Sequence, residues 1–553
     1  MSLPTNPSAA FHNKTGEPPK YSLPSIVNMR VTLLLLGLLT KSQGFSLSKT
    51  LGDHMVLSRN GAVVYGFDAP GSTVTTILDG GETFSNVTDA SGVWRQLLAP
   101  RVAGGPHVLS FSSSSGGTAA ISDVLFGDVY LCSGQSNAQF SVSAAFNATA
   151  EIATAIYPNI RIFTVGQGNQ SDTPLTDLAS VEQSWTAVTP DSVNGTDFGY
   201  FSAFCYFFAR DLAARLGADA PPLGLISSSW GGTCLQMWTS PGITDKACAG
   251  LGVDFPAVCY NAMIAPYLTG PMAVTGFLWS QGECNADNNQ TAYYTCAFPL
   301  FVDGWRKDFR APDAFFGFEV LPAYISDSTF SPYSLPYLRE AQLTALTRHN
   351  VAACNAIDLG DATAPHGSVH PRDKQTVGAR IADQAASIVY GLPVAFENLA
   401  YASAVASSAE AAMLAGTITV QVFFRPGGLA GGSLELRPKA CPVDQGVPLS
   451  ECSWYEVQTL DGVWHNASVS IASDTKSLLL SVATAGFGLG LLSASGDGRE
   501  SKLTVNATRG NFSPWPVVVV YARNTNLPAL PWPATVISGR ADAGSLLHGS
   551  IGR

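Results

Sequence analysis

Three apolar runs of the sequence end in polar or glycine-rich segments whose residues suit acyl-transfer chemistry. VLFGDVYLCSG leads into Ser136, PLGLISSSW leads into Gly232, and GFLWS leads into Gln281 and Asn285. Because the carboxyl ends of parallel strands meet at one edge of a sheet, we expect these residues to lie close together. Ser136 is the candidate nucleophile. The N–H groups of Ser136 and Gly232, with the amide of Asn285 in preference to Gln281, are candidates for an oxyanion hole. Taken alone, Ser136 is better explained as the N-cap of an ordinary helix.

A serine nucleophile needs a base, and His366 and His370 lie in a loop that suits this role. The loop follows a predicted strand, residues 351–359, and precedes a predicted helix. Pro371 favours the first turn of a helix, so the sequence puts His370 at the helix entrance, facing the same sheet edge. A histidine that only caps that helix is the alternative. We predict His370 as the general base.

The elements around these residues predict an α/β catalytic domain with β-rich regions on either side of it in sequence. Residues 123–391 alternate continuous apolar strands with helical stretches, the pattern of a parallel sheet covered on both faces. Residues 45–122 read as an N-terminal β domain and residues 392–553 as a C-terminal β-rich region, because short β-rich runs alternate with turns. Residues 1–44 read as an upstream extension and a signal peptide with the apolar run VTLLLLGLL. A buried strand of a cytosolic domain is the alternative for that run.

Composition and short motifs favour the secretory pathway, with a secreted or lysosomal protein as the prediction. Eight Asn-x-Ser/Thr sequons and all ten cysteines follow the predicted signal peptide. Spacing leaves the disulfide pairing open, and the local pairs to test first are Cys248–Cys259 and Cys441–Cys452. The net charge of −11, without a Lys/Arg block, argues against nucleic acid as a partner. No later apolar run is long enough for a membrane span.

Four sequence blocks together resemble a known family. GQSN at 134–137, SSWGGT at 228–233, WSQGECN at 279–285 and SVHPRDKQTVGARIA from 368 resemble, in order and spacing, the blocks of sialate O-acetylesterases of the SGNH hydrolase superfamily. The resemblance spans about residues 45–392. It implies a flavodoxin-like three-layer α/β/α core. It also implies hydrolysis of acetyl esters at the 9- and 4-hydroxyls of sialic acids, without metal or cofactor. Ser136 would be the nucleophile, His370 the base, and Ser136, Gly232 and Asn285 or Gln281 the oxyanion hole.

The third member of a catalytic triad stays open in the sequence. Many SGNH hydrolases have aspartate three residues before the histidine, but Gly367 occupies that position here. Asp358, Asp361 and Asp373 are candidates. A Ser-His dyad supported by backbone carbonyls is the remaining possibility.

Two other functions are compatible with the same residues. An esterase for other acetylated carbohydrates, such as acetyl-xylan, would use the same nucleophile and base. A catalytically silent glycan-binding protein would fit the flanking β regions, although Ser136 and His370 together argue against it. A dinucleotide-binding dehydrogenase is disfavoured, because no GxGxxG follows the first core strand. Cys234 and Cys284 lie beside two of the blocks, where they could alter the acyl pocket.

Overall fold

The computed structural model describes residues 44–244, 246–251, 257–324, 334–407 and 416–438. Towards the carboxyl end it describes 441, 443–445, 452–453, 455–459, 463–483, 505–510, 515–516, 518–525, 527–530 and 532–536. The predicted signal peptide lies outside the described residues.

The first eight strands form the N-terminal β region and connect it to the core. They are β1 (Ser46–Leu47), β2 (Val56–Ser58), β3 (Ala62–Phe67), β4 (Thr73–Leu78), β5 (Glu82–Val87), β6 (Val93–Leu98), β7 (Gly104–Ser113) and β8 (Thr118–Gly134). β1, β3 and β6 form a small sheet. In a second sheet, β4 pairs with β5 and β7, and β7 pairs with the first part of β8, all antiparallel. β2 pairs with β8 in parallel. The boundary predicted at residue 122 therefore falls inside a strand that the N-terminal region and the core share.

The second part of β8 is the middle strand of the core sheet. The other core strands are β9 (Tyr157–Val165), β10 (Val181–Val188), β11 (Leu223–Ser229), β12 (Gly276–Ser280), β13 (Phe315–Val320) and β14 (Val351–Asn355). Their order is β10-β9-β11-β8-β12-β13-β14, parallel throughout except for β10 at one edge. After β8, the chain adds β9, β10 and β11 on one side of β8 and then β12, β13 and β14 on the other side. The carboxyl end of β8 is therefore the switch point, where ligands bind to such sheets.

Helices cover both faces of the core sheet. They are α1 (Ser136–Gln139), α2 (Ala148–Ala153), α3 (Pro190–Val193), α4 (Ala203–Leu216), α5 (Pro266–Thr269), α6 (Glu283–Asp287), α7 (Thr291–Asp308), α8 (Leu335–Leu343) and α9 (Lys374–Ile388). Successive strand residues face opposite sides, so Tyr130 and Leu278 pack with α4 and α9, whereas Leu131 and Trp279 pack with α7 and α8. This α/β/α arrangement confirms the predicted fold class.

The C-terminal region is rich in β-structure, as the sequence predicts. Its strands are β15 (Tyr401–Ala406), β16 (Thr417–Phe424), β17 (Leu434–Pro438), β18 (Cys452–Ser453), β19 (Tyr455–Thr459), β20 (Trp464–Asn466), β21 (Ser468–Ile471), β22 (Ser477–Ala483), β23 (Val505–Gly510), β24 (Trp515–Pro516), β25 (Val518–Ala522), β26 (Leu527–Pro528) and β27 (Trp532–Val536). The described strands form two four-stranded sheets, one three-stranded sheet and one pair. A one-turn helix, Pro426–Leu429, interrupts them.

Disulfides connect cysteines that are distant in sequence. The pairs between described side chains are Cys132–Cys205, Cys234–Cys284 and Cys248–Cys296. The predicted pair Cys248–Cys259 is wrong, because α7 brings Cys296 to Cys248 whereas Cys259 is a free thiol buried in the core. Cys441 is also disulfide-bonded, but the Cys452 side chain lies outside the described residues. Such bonds fit the oxidising compartment that the sequence predicts. Within the described ranges, no helix is long and apolar enough to cross a bilayer.

Candidate active site

A cavity of about 590 Å³ lies at the carboxyl end of β8. It is lined by Gln135, Ser136, Gln139, Phe198, Gly231, Gly232, Glu283, Cys284, Asp287, Asn288, Val369 and His370. The structure therefore brings together Ser136, Gly232 and His370, which the sequence analysis selected from three separate segments. This is the sheet edge at which the sequence predicts the site.

Ser136 stands on a sharp turn between β8 and α1. Gly134 has φ +142°, and a Cβ atom there would lie 2.0 Å from the Ser280 carbonyl oxygen, so the turn requires glycine. The Gln135 N–H donates to that same carbonyl at 3.0 Å, which fixes the turn to β12. Ser136 itself is partly exposed and lines the cavity, and its hydroxyl has no hydrogen-bond partner within the described residues. The hydroxyl is therefore available to a substrate.

His370 presents a free ring nitrogen in the same cavity. Its Nδ1 lies 2.8 Å from the backbone carbonyl oxygen of His366. Because a carbonyl only accepts, Nδ1 carries the proton and Nε2 carries the lone pair. Nε2 is buried and unpartnered within the described residues. Burial lowers the pKa of His370. The hydrogen bond to the His366 carbonyl raises it and the positive charge of Lys374 lowers it, but burial is the largest effect. The imidazole is thus held in the neutral form that a general base requires.

None of the three candidate carboxylates orients His370. Each has another partner: Asp358 pairs with Arg380, Asp361 pairs with Arg372, and Asp373 caps helix α9. The ring of His366 pairs with Asp197 at 2.9 Å, so His366 contributes its backbone carbonyl to His370 rather than its imidazole. Of the alternatives left open by the sequence, this geometry matches the dyad supported by a backbone carbonyl. His370 also lies four residues before α9 rather than at its entrance, because Asp373 is the N-cap.

Two backbone N–H groups at the cavity are free to bind an oxyanion. Within the described residues, neither the Ser136 N–H nor the Gly232 N–H makes a hydrogen bond. The neighbouring Gly231 N–H donates to the Gln139 side-chain oxygen at 2.7 Å, which anchors the glycine loop to α1. Cys234, two residues after Gly232, fastens the loop to α6 through its disulfide with Cys284. The loop is therefore held at both ends beside Ser136.

The two predicted amide donors are buried and do not line the cavity. Asn285 is buried and donates to the side-chain oxygens of Gln236 at 3.0 Å and Gln290 at 2.9 Å. Gln281 donates to the Asn285 oxygen at 2.8 Å and to the Gln135 oxygen at 3.2 Å. The structure thus does not bring Asn285 or Gln281 to Ser136. Gln281 contacts the lining through its bond to Gln135.

A buried polar network beside Ser136 was not selected from the sequence. Asn137 donates to a carboxylate oxygen of Glu283 at 2.5 Å and to the Val369 carbonyl at 2.8 Å, and it accepts from the Lys374 ammonium at 2.7 Å. Asn137, Glu283 and Lys374 are at most 3% exposed. Burial raises the pKa of Glu283 and lowers that of Lys374. The signal in the sequence was position alone, because Asn137 directly follows Ser136 and Lys374 lies four residues after His370.

Comparison with known proteins identifies the family. The family model "Carbohydrate esterase, sialic acid-specific acetylesterase" matches residues 126–387. The sialate O-acetylesterase of Mus musculus is 37% identical over 425 residues, which are 65% of this chain and 77% of that protein. The Homo sapiens sialate O-acetylesterase is 36% identical over 383 residues, covering 63% of this chain and 72% of that protein. A carbohydrate acetylesterase from Xanthomonas citri has a similar structure, with TM-score 0.69 and 25% identity over 88% of this chain and 98% of that one. The chain therefore belongs to the sialate O-acetylesterase family.

Proposed function

We propose that this protein is a serine esterase that hydrolyses O-acetyl esters of sialic acids to acetate and the free sugar hydroxyl. Its membership of the sialate O-acetylesterase family supports the reaction and the substrate class. One structural observation carries the proposal: an unpartnered serine hydroxyl and an unpartnered imidazole nitrogen, on Ser136 and His370, line one cavity at the switch point. The 9-acetyl ester is the first position to test, and the 4-acetyl ester is the second.

The proposed reaction uses only groups of this chain. Ser136 Oγ attacks the acetyl carbonyl carbon while Nε2 of His370 takes the hydroxyl proton. The His366 carbonyl stabilises the imidazolium through Nδ1–H, and the N–H groups of Ser136 and Gly232 bind the oxyanion. The tetrahedral intermediate collapses, and His370 returns the proton to the leaving sugar oxygen. Water then attacks the acetyl-enzyme with His370 as base, which releases acetate and restores Ser136.

A second candidate is an esterase for neutral acetylated carbohydrates. The charge at the cavity favours it, because Asp287 contributes a carboxylate to the lining, whereas the described lining residues include no lysine or arginine. A sialic acid has a carboxylate that such a surface does not attract. The structural similarity to the Xanthomonas citri carbohydrate acetylesterase also supports this candidate. Both candidates use the same nucleophile and base.

Acetate release tests the proposed function directly. Purified wild type and Ser136→Ala are compared on 9-O-acetylated sialic acid and on acetyl-xylan, with His366→Ala as the matched histidine control for His370→Ala. We expect release from the sialic acid, with losses of several orders of magnitude in Ser136→Ala and His370→Ala. His366→Ala should retain most activity if its carbonyl stays in place. Release only from xylan would favour the second candidate, and no release by folded wild type would refute both.

We also propose that the protein acts in the secretory pathway, as a secreted or lysosomal enzyme. The disulfides between described cysteines support an oxidising compartment. Expression with the native amino terminus, followed by assay of the medium and of lysosomal fractions, distinguishes the two locations. Retention of active, unglycosylated protein in the cytosol would contradict the proposal.

A further inference from the structure

We propose that Asn137 is a positioning residue that sets the approach of His370 to Ser136. This inference rests on the proposed function, because it takes Ser136 as nucleophile and His370 as base. Asn137 is the direct neighbour of Ser136 in the chain, and the carbonyl to which it donates belongs to Val369, the direct neighbour of His370. Asn137 and Val369 are 232 positions apart in sequence. One amide group therefore joins the segment that carries the nucleophile to the segment that carries the base.

The Asn137 amide has two hydrogens, and its two shortest contacts use both of them. One contact is with Glu283 at 2.5 Å and the other is with the Val369 carbonyl at 2.8 Å. The Tyr324 hydroxyl, at 3.3 Å, is a longer third neighbour. Within the described residues, the bond to Val369 is the only hydrogen bond between α1 and residues 366–370. The His370 ring bonds within its own loop, so that contact does not fix the loop relative to Ser136.

Two buried side chains of opposite charge hold the Asn137 amide in one orientation. The Lys374 ammonium donates to the amide oxygen at 2.7 Å, and the Glu283 carboxylate accepts from the amide nitrogen. A flipped amide would turn its N–H groups to the ammonium and its oxygen to the carboxylate. Lys374 also lies 5.2 Å from the centre of the Phe140 ring, a cation–π contact that keeps the ammonium in place. The orientation that lets Asn137 donate to Val369 is therefore fixed electrostatically.

This placement matters because proton transfer from serine to histidine is sensitive to small displacements. A misplacement of about 1 Å can lower a rate by about 100-fold. Loss of the bond to Val369 should therefore lower kcat, while substrate binding to the other cavity walls remains. A residue needed only to balance buried charge would affect stability and kcat together.

The variants Asn137→Asp and Asn137→Asp/Glu283→Gln separate positioning from charge balance. The single variant keeps an acceptor for Lys374 but puts two carboxylates side by side, so we expect loss of both stability and activity. In the double variant, the new amide at position 283 donates to the new carboxylate at position 137, and the buried set again holds one positive and one negative charge. No donor to the Val369 carbonyl is restored. We expect a melting temperature near that of wild type, with kcat about 100-fold lower and KM changed little.

The assay is hydrolysis of 4-nitrophenyl acetate by the full chain, with rates per folded molecule below each melting transition. Asn261→Ala is the matched control, because Asn261 is a buried asparagine that donates to the Ser171 carbonyl at 3.0 Å and does not line the cavity. It should lose stability and keep kcat. If the double variant does not fold, Asn137→Ser replaces it, because it removes the reach to Val369 without adding charge.

Recovery of both melting temperature and kcat in the double variant would overturn the proposal, as would an Asn137→Ser variant with wild-type kcat. Failure of the proposed function looks different. Wild type that cleaves 4-nitrophenyl acetate but no acetylated sialic acid refutes the substrate class and still reports on Asn137. Full activity of Ser136→Ala would refute the assignment of Ser136 as nucleophile, and with it the proposed role of Asn137.

Discussion

The variant Asp361→Asn distinguishes a base oriented by a carboxylate from a base oriented by a backbone carbonyl. In a Ser-His-Asp triad, the change from aspartate to asparagine lowers kcat by about 10⁴-fold, because the histidine takes the wrong tautomer. Here Nδ1 of His370 lies 2.8 Å from the His366 carbonyl, and both Asp361 oxygens bind Arg372, at 2.6 and 3.0 Å. We therefore expect kcat of Asp361→Asn to stay within about tenfold of wild type, at most about 1.4 kcal/mol in the barrier.

We expect Asp361→Asn to lower the free energy of unfolding more clearly than it lowers kcat. Burial opposes ionisation of Asp361, but the hydrogen bonds and charge of Arg372 outweigh it and hold the pKa of Asp361 below its usual value. A lowered pKa means that the stabilisation is present at neutral pH and is lost as the pH falls through the pKa of the folded state. Asparagine keeps one acceptor for Arg372, so we expect a loss of about 1–3 kcal/mol.

The assay measures kcat and KM on 4-nitrophenyl acetate at pH 8, together with thermal unfolding. Asp197→Asn is the matched control, because Asp197 is the exposed partner of the His366 ring and does not contact His370. Asp358→Asn and Asp373→Asn complete the series of candidate triad members. A fall in kcat of about 10³-fold or more in any of the three, at unchanged KM and in folded protein, would refute the dyad reasoning.

Three further predictions follow from the site. Because burial lowers the pKa of His370, kcat/KM should rise with pH through a midpoint below about 6.5, and a pH–rate profile with a higher midpoint would contradict this. Removing the Cys234–Cys284 disulfide by double serine substitution opens a loop of 50 residues and should cost about 4 kcal/mol in thermal or urea unfolding; unchanged stability would argue against the chain-entropy estimate. Gly134→Ala would put Cβ 2.0 Å from the Ser280 carbonyl, so a native circular dichroism spectrum with full activity would contradict the requirement for glycine.

The sequence was informative where residues directly follow buried strands. Continuous apolar runs indicate strands covered on both faces, and parallel strands with short turns bring their carboxyl ends to one edge. That reasoning predicted the meeting of Ser136, Gly232 and His370 at one cavity, and the structure brings them together there. The shared strand β8 was less predictable, because its sequence changes sheet partners without any break in β character.

The orientation of side chains beyond the strand ends could not be predicted in the same way. Gly282 has φ +154°, and α6 begins at the next residue. With 3.6 residues per turn, Glu283 and Asp287 share the face that lines the cavity, whereas Asn285 points to the opposite side. The residue at which α6 begins therefore decides whether a carboxylate or the Asn285 amide faces the cavity. The burial of Lys374 could not be predicted either, because the groups that compensate its charge come from distant segments.

The C-terminal β region contacts, directly or through Asp358, the elements on both sides of the His370 segment. Asn355, at the end of β14, donates to the Ala529 carbonyl at 2.8 Å, and the Tyr521 hydroxyl donates to Asp358 at 2.7 Å. Asp358 in turn pairs with Arg380 of α9, whose guanidinium also donates to the Asn355 carbonyl. The C-terminal region thus contacts the strand that leads into the His370 segment and, through Asp358, the helix that follows it. Loops are more mobile than the elements that they connect, so fixing both flanks restricts His370, the proposed base, where its distance to Ser136, the proposed nucleophile, matters most.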